Sequence, residues 1–464
     1  MAKHPFTKRD EHRDLTRRAL IKWSVAAGAA LGVSRAKVFD ILEKTAGKDT
    51  AFAAAQNPTT RSVHIVAGNG GLAWFTQLWP YNSVAAAKNP SFAYAYAGQT
   101  TLAPDTDKPL TVGPVTPWAT MPGSQQVTCF QCGNNETHTR QPQSVVGLNG
   151  SNIFSVASAL QSASPSVIPI VTIGDVDIGT APGGATPANV TDGNAIVGLF
   201  NSAASRAGGL LSNTSDASLY KAHYDAFTQL NRAAGTSTTK LAYTTASGAA
   251  GFLGTNLSAK LQITQADRTR YGMTGSTRSN VQAIGEAMIV AVKAFALGLT
   301  NSVVLPAMDD DPHGAFDGGD INIVPQQITA IFNAFMADLN AAIDPVTMEN
   351  LWNDTVITIH GDTHKDPLTP GGWPDGTANN SNTVYVYSAG HLMSGWFGDY
   401  TPGGGGTAVG FDMNGAAATY NGANTAKYAM ASIAYAIAKR DSRAISQFAN
   451  GITVEGIFGR EPTM

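Results

Sequence analysis

Charged side chains are scarce in this chain: Asp, Glu, Lys and Arg make up 14% of its 464 residues, against roughly 25% in an ordinary soluble domain. A basic stripe able to neutralise a nucleic-acid backbone is a poor fit, and the net charge of −3 points the same way. Cysteine is scarcer still, with two copies, which excludes a disulfide-dense scaffold and a four-cysteine zinc site. No apolar run approaches the roughly 20 residues of a spanning helix, so no stable membrane span is expected. The hydrophobic share, 43%, is nevertheless enough for a sizeable core and argues against intrinsic disorder.

The few charges are unevenly placed. Residues 1–55 hold 11 Lys and Arg against 6 Asp and Glu, which leaves a net −8 on residues 56–464. Within the basic part, Thr16-Arg17-Arg18-Ala19-Leu20-Ile21-Lys22 is followed by an uncharged stretch from Trp23 to Val33. This resembles a twin-arginine export signal, with small-residue cleavage sites at Ala51-Phe52-Ala53 or Ala53-Ala54-Ala55. The resemblance implies handling by the twin-arginine translocation machinery, a periplasmic or secreted location, and a mature chain from near Gln56. That route carries folded proteins, which hints at a bound ion.

Residues 56–464 read as a single α/β domain. Arg61–Ala67 is a β-run ending in Gly68-Asn69-Gly70-Gly71. Residues 99–126, rich in Pro and Thr, read as an irregular insertion, and Val167–Ile173 as a buried strand with Pro169 as the objection. Val281, Ile284, Met288, Val292, Phe295 and Leu299 recur at helical spacing, as do Val324, Ile328, Ile331, Phe335 and Leu339. Strands are expected at Ser302–Leu305, Thr355–Ile359 and Thr383–Tyr387, and a final helix at about Ala426–Ala438. Alternation of strands and helices predicts a largely parallel sheet with helices on both faces. Ligands in such sheets sit beyond the carboxyl ends of the strands.

Two clusters follow predicted strands there. Leu305 leads to Met308-Asp309-Asp310-Asp311-Pro312-His313, and Ile359 leads to His360-Gly361-Asp362-Thr363-His364-Lys365-Asp366. Alternate residues of an extended segment share a face, so His360, Asp362 and His364 have the spacing to converge on one divalent cation. Taken alone, the aspartate run reads as a solvated turn. Cys129-Phe130-Gln131-Cys132, with His138 beyond it, reads first as a disulfide, next as part of a metal site, last as a redox pair. The glycine turn lacks the spacing of a phosphate-binding loop, and no G-x-S-x-G elbow occurs.

Several segments together resemble a family of twin-arginine-exported bacterial proteins of uncharacterised function, related to sulfatases and alkaline phosphatases. They are the strand and glycine turn at 63–71, Thr137-His138-Thr139-Arg140-Gln141 (family S-H-F-x-x-Q), and Asp311-Pro312-His313 (family D-T-H). Leu351–Ile357 (family L-W-x-x-T-x-V) and the chain's end, Ile452–Gly459, complete the set. The resemblance implies an alkaline-phosphatase-like fold and metal-dependent hydrolysis of a small anionic phosphate or sulfate ester. It implies a divalent metal ion held by Asp311, His313, Asp362 and His364, with Thr137 as nucleophile, His138 and His360 as acid/base groups or further ligands, and Arg140 and Lys365 on the substrate anion. The chain departs from the family at His360–Lys365, where S-E-F-G-R-T is usual, and at Asn69, in place of a strand-end aspartate. A later D-H pair is missing, with Trp373-Pro374-Asp375-Gly376 roughly in its place. These departures imply a one-metal or remodelled site, or a noncatalytic binding or envelope-associated protein on the same scaffold.

Overall fold

The computed structural model describes residues 59–82, 100–102, 108–113, 117–134, 138–164, 166–200, 256–311, 320–361, 377–401, 407–449, 452 and 457. The segment read as an export signal lies outside these residues. The chain divides into two compact units. One comprises Ala51–Ser164, Ile168–Asn194 and Ile263–Met464; the other comprises Met1–Thr50, Pro165–Val167 and Ala195–Gln262. In the second unit only short stretches are described, among them the helix Leu257–Leu261, capped by the Asn256 side chain.

The larger unit is built on an eight-stranded sheet. In chain order the described strands are β1 (Arg61–Gly68), β2 (Thr100–Leu102), β3 (Leu110–Val112), β4 (Val127–Asn134), β5 (Ile168–Ile173), β6 (Ala188–Val190) and β7 (Thr300–Asp309). They continue with β8 (Thr355–Gly361), β9 (Ser381–Tyr387), β10 (Gly395–Phe397), β11 (Asp399–Tyr400), β12 (Ala408–Phe411) and β13 (Ala417–Thr419). The main sheet runs β10-β4-β9-β8-β1-β7-β5-β6. All its neighbours pair in parallel except β9, which is antiparallel to both β4 and β8. A hairpin of β2 and β3 lies within the stretch expected to be irregular, and β11-β12-β13 form a small antiparallel sheet.

Helices cover both faces, as the alternation predicted. We label α1 (Ala73–Thr76), α2 (Ile153–Leu160), α3 (Ser279–Ala296), α4 (Asp320–Ala341) and α5 (Gly422–Ile437). On one face α2 and α5 share a core with Val66, Phe130, Val304, Val356, Val384 and Val386. On the other face the intervening residues of β9, Tyr385 and Tyr387, meet Trp79, and Phe332 of α4 meets Tyr387 and Trp118. Central strands buried on both sides carry continuous apolar or small side chains, and every residue of β1 and β8 is buried. The apolar stripe of α3 faces inward through Val281, Ile284, Met288 and Phe295. Left-handed Gly298 closes the helix and sends the chain straight into β7.

Pro169 does stand inside a strand, contrary to the objection raised by its missing N–H. Pairing of β5 with β6 begins only at Val171, so at Pro169 the strand has a neighbour, β7, on one side alone. A proline is tolerated where no ladder partner awaits its nitrogen. No helix among the described residues is long and apolar enough to cross a membrane.

Candidate functional site

Because β7, β1 and β8 are adjacent and parallel, their carboxyl ends open onto one edge of the sheet. The chain leaves β1 through Asn69 and Gly70, both left-handed (φ 51° and 80°). Gly71 then passes so close to β7 that a Cβ there would lie 2.2 Å from the Met308 carbonyl oxygen. Strand β4 ends on the same edge, and antiparallel β9 begins there. Asn382, near the start of β9, donates from Nδ2 to the carbonyls of Gly361 (2.7 Å) and Asn134 (3.3 Å), tying the ends of β8 and β4 together.

The acidic end of β7 is held by arginines. Arg140 reaches across the end of β1, where a Cβ on Gly68 would meet its Cγ at 2.6 Å, and its Nη2 lies 3.0 Å from Asp309 Oδ2. Arg278, just before α3, places Nη1 3.0 Å from Asp310 Oδ2 and 3.6 Å from Asp320 Oδ2. Asp309 and Asp310 are therefore neutralised by cations before any metal is considered. Asp311 is half-buried beside them, and His138 is exposed with a left-handed backbone (φ 56°).

Directly beneath this edge lie two histidines. His64 and His360 both approach the Thr358 hydroxyl: Nδ1 of His64 and Nε2 of His360 are each 2.7 Å from Oγ1. Both rings are fully buried and pack on Phe154 of α2, at centroid distances of 5.0 and 5.2 Å. One hydroxyl carries one proton, so Thr358 donates to one ring and accepts from the other. The far nitrogens, Nε2 of His64 and Nδ1 of His360, have no partner; whichever is protonated is a buried donor left unpaired, a cost of about 1–3 kcal/mol. Burial lowers the pKa of His64 to about 3, and burial, with His64 as neighbour, lowers that of His360 well below its usual value. Both rings are neutral at physiological pH.

These positions revise the expectations residue by residue. His360, read as an acid/base group or ligand, is turned into the core against Phe154, because residue 360 shares the α2 face with Val356 and Thr358. The disulfide expectation is corrected: Cys129 and Cys132 are buried thiols that are not bridged to each other. Three residues apart on β4, they lie on opposite faces of the sheet and roughly 10 Å apart, beyond the ~7 Å reach of a bridge. Burial raises the Cys129 thiol well above its usual range. Thr137, His313, Asp362, His364 and Lys365 lie outside the described residues. Among the described residues no group of three or more His, Cys, Asp or Glu side chains is placed to hold a metal ion, so of the four expected ligands only Asp311 stands at the described edge. Sequence reasoning missed Arg278, Asn382, His64 and Thr358. His64 alone had a visible signal, a lone imidazole in an otherwise apolar strand.

No protein-family profile matches this chain, and no curated protein matches it in sequence.

Proposed function

We propose that the chain is an exported, metal-dependent hydrolase of phosphate or sulfate esters, built on an alkaline-phosphatase-like scaffold, with the ester bound at the carboxyl edge above β1. The observation that carries this reading is the parallel pairing of β7 and β8 on either side of β1. It sends the segments that begin at Asp309 and Gly361, which contain all four expected ligands, out of the same edge. A mainly parallel sheet with helices on both faces supports the scaffold reading as well.

Asp311, His313, Asp362 and His364 are the residues that would hold the metal; once bound, it supplies polarisation of the ester oxygen and a lowered pKa for the attacking group. Arg140 engages the substrate anion by exchanging its half-exposed partner Asp309 for the ester, since an exposed ion pair is weak and readily exchanged. Exposed His138 is the acid/base group of this reading and Thr137 its nucleophile. His360 is left out of that role because its ring is sealed from solvent.

A noncatalytic binding protein on the same scaffold is the second reading, favoured by the arginine pairing of Asp309 and Asp310 and by Asn69 at the turn. Elemental analysis of protein matured through its own export route, beside a D362A/H364A double variant, separates the two. Near-stoichiometric divalent metal in the parent, lost in the variant, together with turnover of p-nitrophenyl phosphate or sulfate, is the expected result. No metal in either folded protein sinks the hydrolase reading.

A further inference from the structure

We infer that Arg278 is a positioning residue: it fixes the acidic end of β7 against α1 and α4, and so sets where Asp310 and Asp311 stand at the edge. The catalytic consequence rests on the hydrolase reading above; the structural consequence does not.

Three elements meet at this side chain, which itself stands just before α3. Its guanidinium lies between Asp310, just beyond β7, and Asp320, the first residue of α4. Its Cζ sits 5.8 Å from the ring centre of Trp74, in the short helix that follows the β1 turn. Its backbone N–H donates to Gln327 Oε1 of α4 at 3.2 Å, and the chain then enters α3 without any side-chain cap from Arg278.

The contact with Asp310 is a Coulombic one. Arg278 Nη1 and Asp310 Oδ2 are both closed off from solvent and make no aligned hydrogen bond, although they are 3.0 Å apart. Charges enclosed in this way are screened less than a surface pair. Without the guanidinium, two carboxylates from different elements would share the spot uncompensated. Arg140 holds Asp309, the last residue of β7, and Arg278 holds Asp310, the residue after it. The end of β7 is thus held by two arginines. Of the two adjacent carboxylates, Asp309 is the more exposed, at 50% against 22% for Asp310, while Arg278's more distant partner Asp320 is 52% exposed. The Arg278–Asp310 contact is thus the more enclosed of the two, and it is the one that fixes the end of β7. Both carboxylates are reached by one nitrogen of Arg278, Nη1, so lysine can supply the charge, but not the planar group that lies near Trp74.

The test uses the full chain with R278Q, R278K and D310N. Amide hydrogen exchange is read on peptides covering Met308–Asp311 and the first turn of α4. R278Q should speed exchange there about tenfold or more and leave β1 and β8 unchanged; R278K should fall between, and R278Q combined with D310N should add little to R278Q alone. Loaded with the metal found by elemental analysis, R278Q should lower kcat for p-nitrophenyl phosphate or sulfate about tenfold with KM within about twofold, and R278K should recover part of the loss. Unchanged exchange in R278Q overturns the inference whether or not the parent is an enzyme. Faster exchange with kcat and KM both unchanged overturns the positioning role. Faster exchange in a parent that binds no metal and hydrolyses neither ester removes the hydrolase reading and leaves the brace standing. Should R278Q fail to fold, R278K and D310N decide the matter through the same exchange measurement.

Discussion

Lowering the pH from 7 to 5 should cost the native state about 2 kcal/mol at His64 alone, from an unfolded pKa of about 6.5 and a folded pKa of about 3. Below pH 6.5 the unfolded chain takes up a proton that the folded one refuses, so it binds more protons than the native state. Stability from this group is therefore fully present above the unfolded pKa and is lost as the pH falls from 6.5 toward 3, where the loss is about 4 kcal/mol. His360, lowered by burial and then by His64, adds to the loss with the same sign. His391, brought to about 4 by burial and by Arg440 and Lys439, does likewise. Asp344 behaves differently: burial pushes its carboxyl up, but the hydrogen bond and charge of Arg61 outweigh that and hold it low. Its contribution is lost only as the pH falls below the ordinary carboxylate range, while Asp354, raised by burial, acts with the opposite sign, which is why the histidine term is read as a difference between parent and variant. The assay is urea unfolding at half-unit steps from pH 7.5 to 5, on the parent and on His64→Asn, whose amide oxygen can keep the Thr358 bond. The variant should be less stable at pH 7 and lose about 2 kcal/mol less between pH 7 and 5. Equal pH slopes for the two proteins, or the His64 ring titrating near 6.5 by NMR in the native state, would refute the reasoning.

Two further outcomes follow from the core. Arg61 donates from Nε to Asp344 (2.6 Å), and from Nη1 to the Thr300 carbonyl (3.0 Å) and to Asn301 Oδ1, with the ion pair almost wholly buried. Arg61→Met strands the Asp344 carboxylate and should cost about 3–5 kcal/mol in urea unfolding at pH 7; a loss under about 1 kcal/mol would show that the site relaxes or hydrates. For the cysteines, a thiol reagent should label neither in the native protein and both in the unreduced, denatured one; a denatured chain without free thiols would reinstate the disulfide.

The long helices were readable because their apolar spacing is a strong local signal, and α3 and α4 fall where the Val281 and Val324 series placed them. Strand β4 was missed because Cys129-Phe130-Gln131-Cys132 drew attention as a motif, while its two cysteines in fact serve opposite faces. The reversal of β9 left no trace in composition: a segment buried on both faces reads alike in either direction. At the site, the shared edge was legible, since strands linked by helical crossovers must run the same way. Its arginine partners were not. Arg140 and Asp309 are paired across 169 positions of chain, and no local spacing encodes such a meeting. His360 was misplaced for a related reason: alternation puts 360, 362 and 364 on one side of an extended run, but the strand continues to Gly361, so residue 360 belongs to the core.

The charges at the described edge bear on which reading of the site is coherent. Two guanidinium groups, Arg140 and Arg278, pair with the carboxylates of Asp309, Asp310 and Asp320, which leaves one negative charge over among these described pairs. A phosphate or sulfate ester brought to this edge alone would meet repulsion, and releasing Arg140 to greet it would expose Asp309 as well. A divalent cation reverses the balance: it would neutralise that excess and leave Arg140 able to serve the ester. Among the described charges, the hydrolase reading is thus favoured by a bound metal. A metal-free protein of this charge pattern would instead suit a neutral or cationic ligand, which is why metal content, measured before any substrate is tried, divides the two readings.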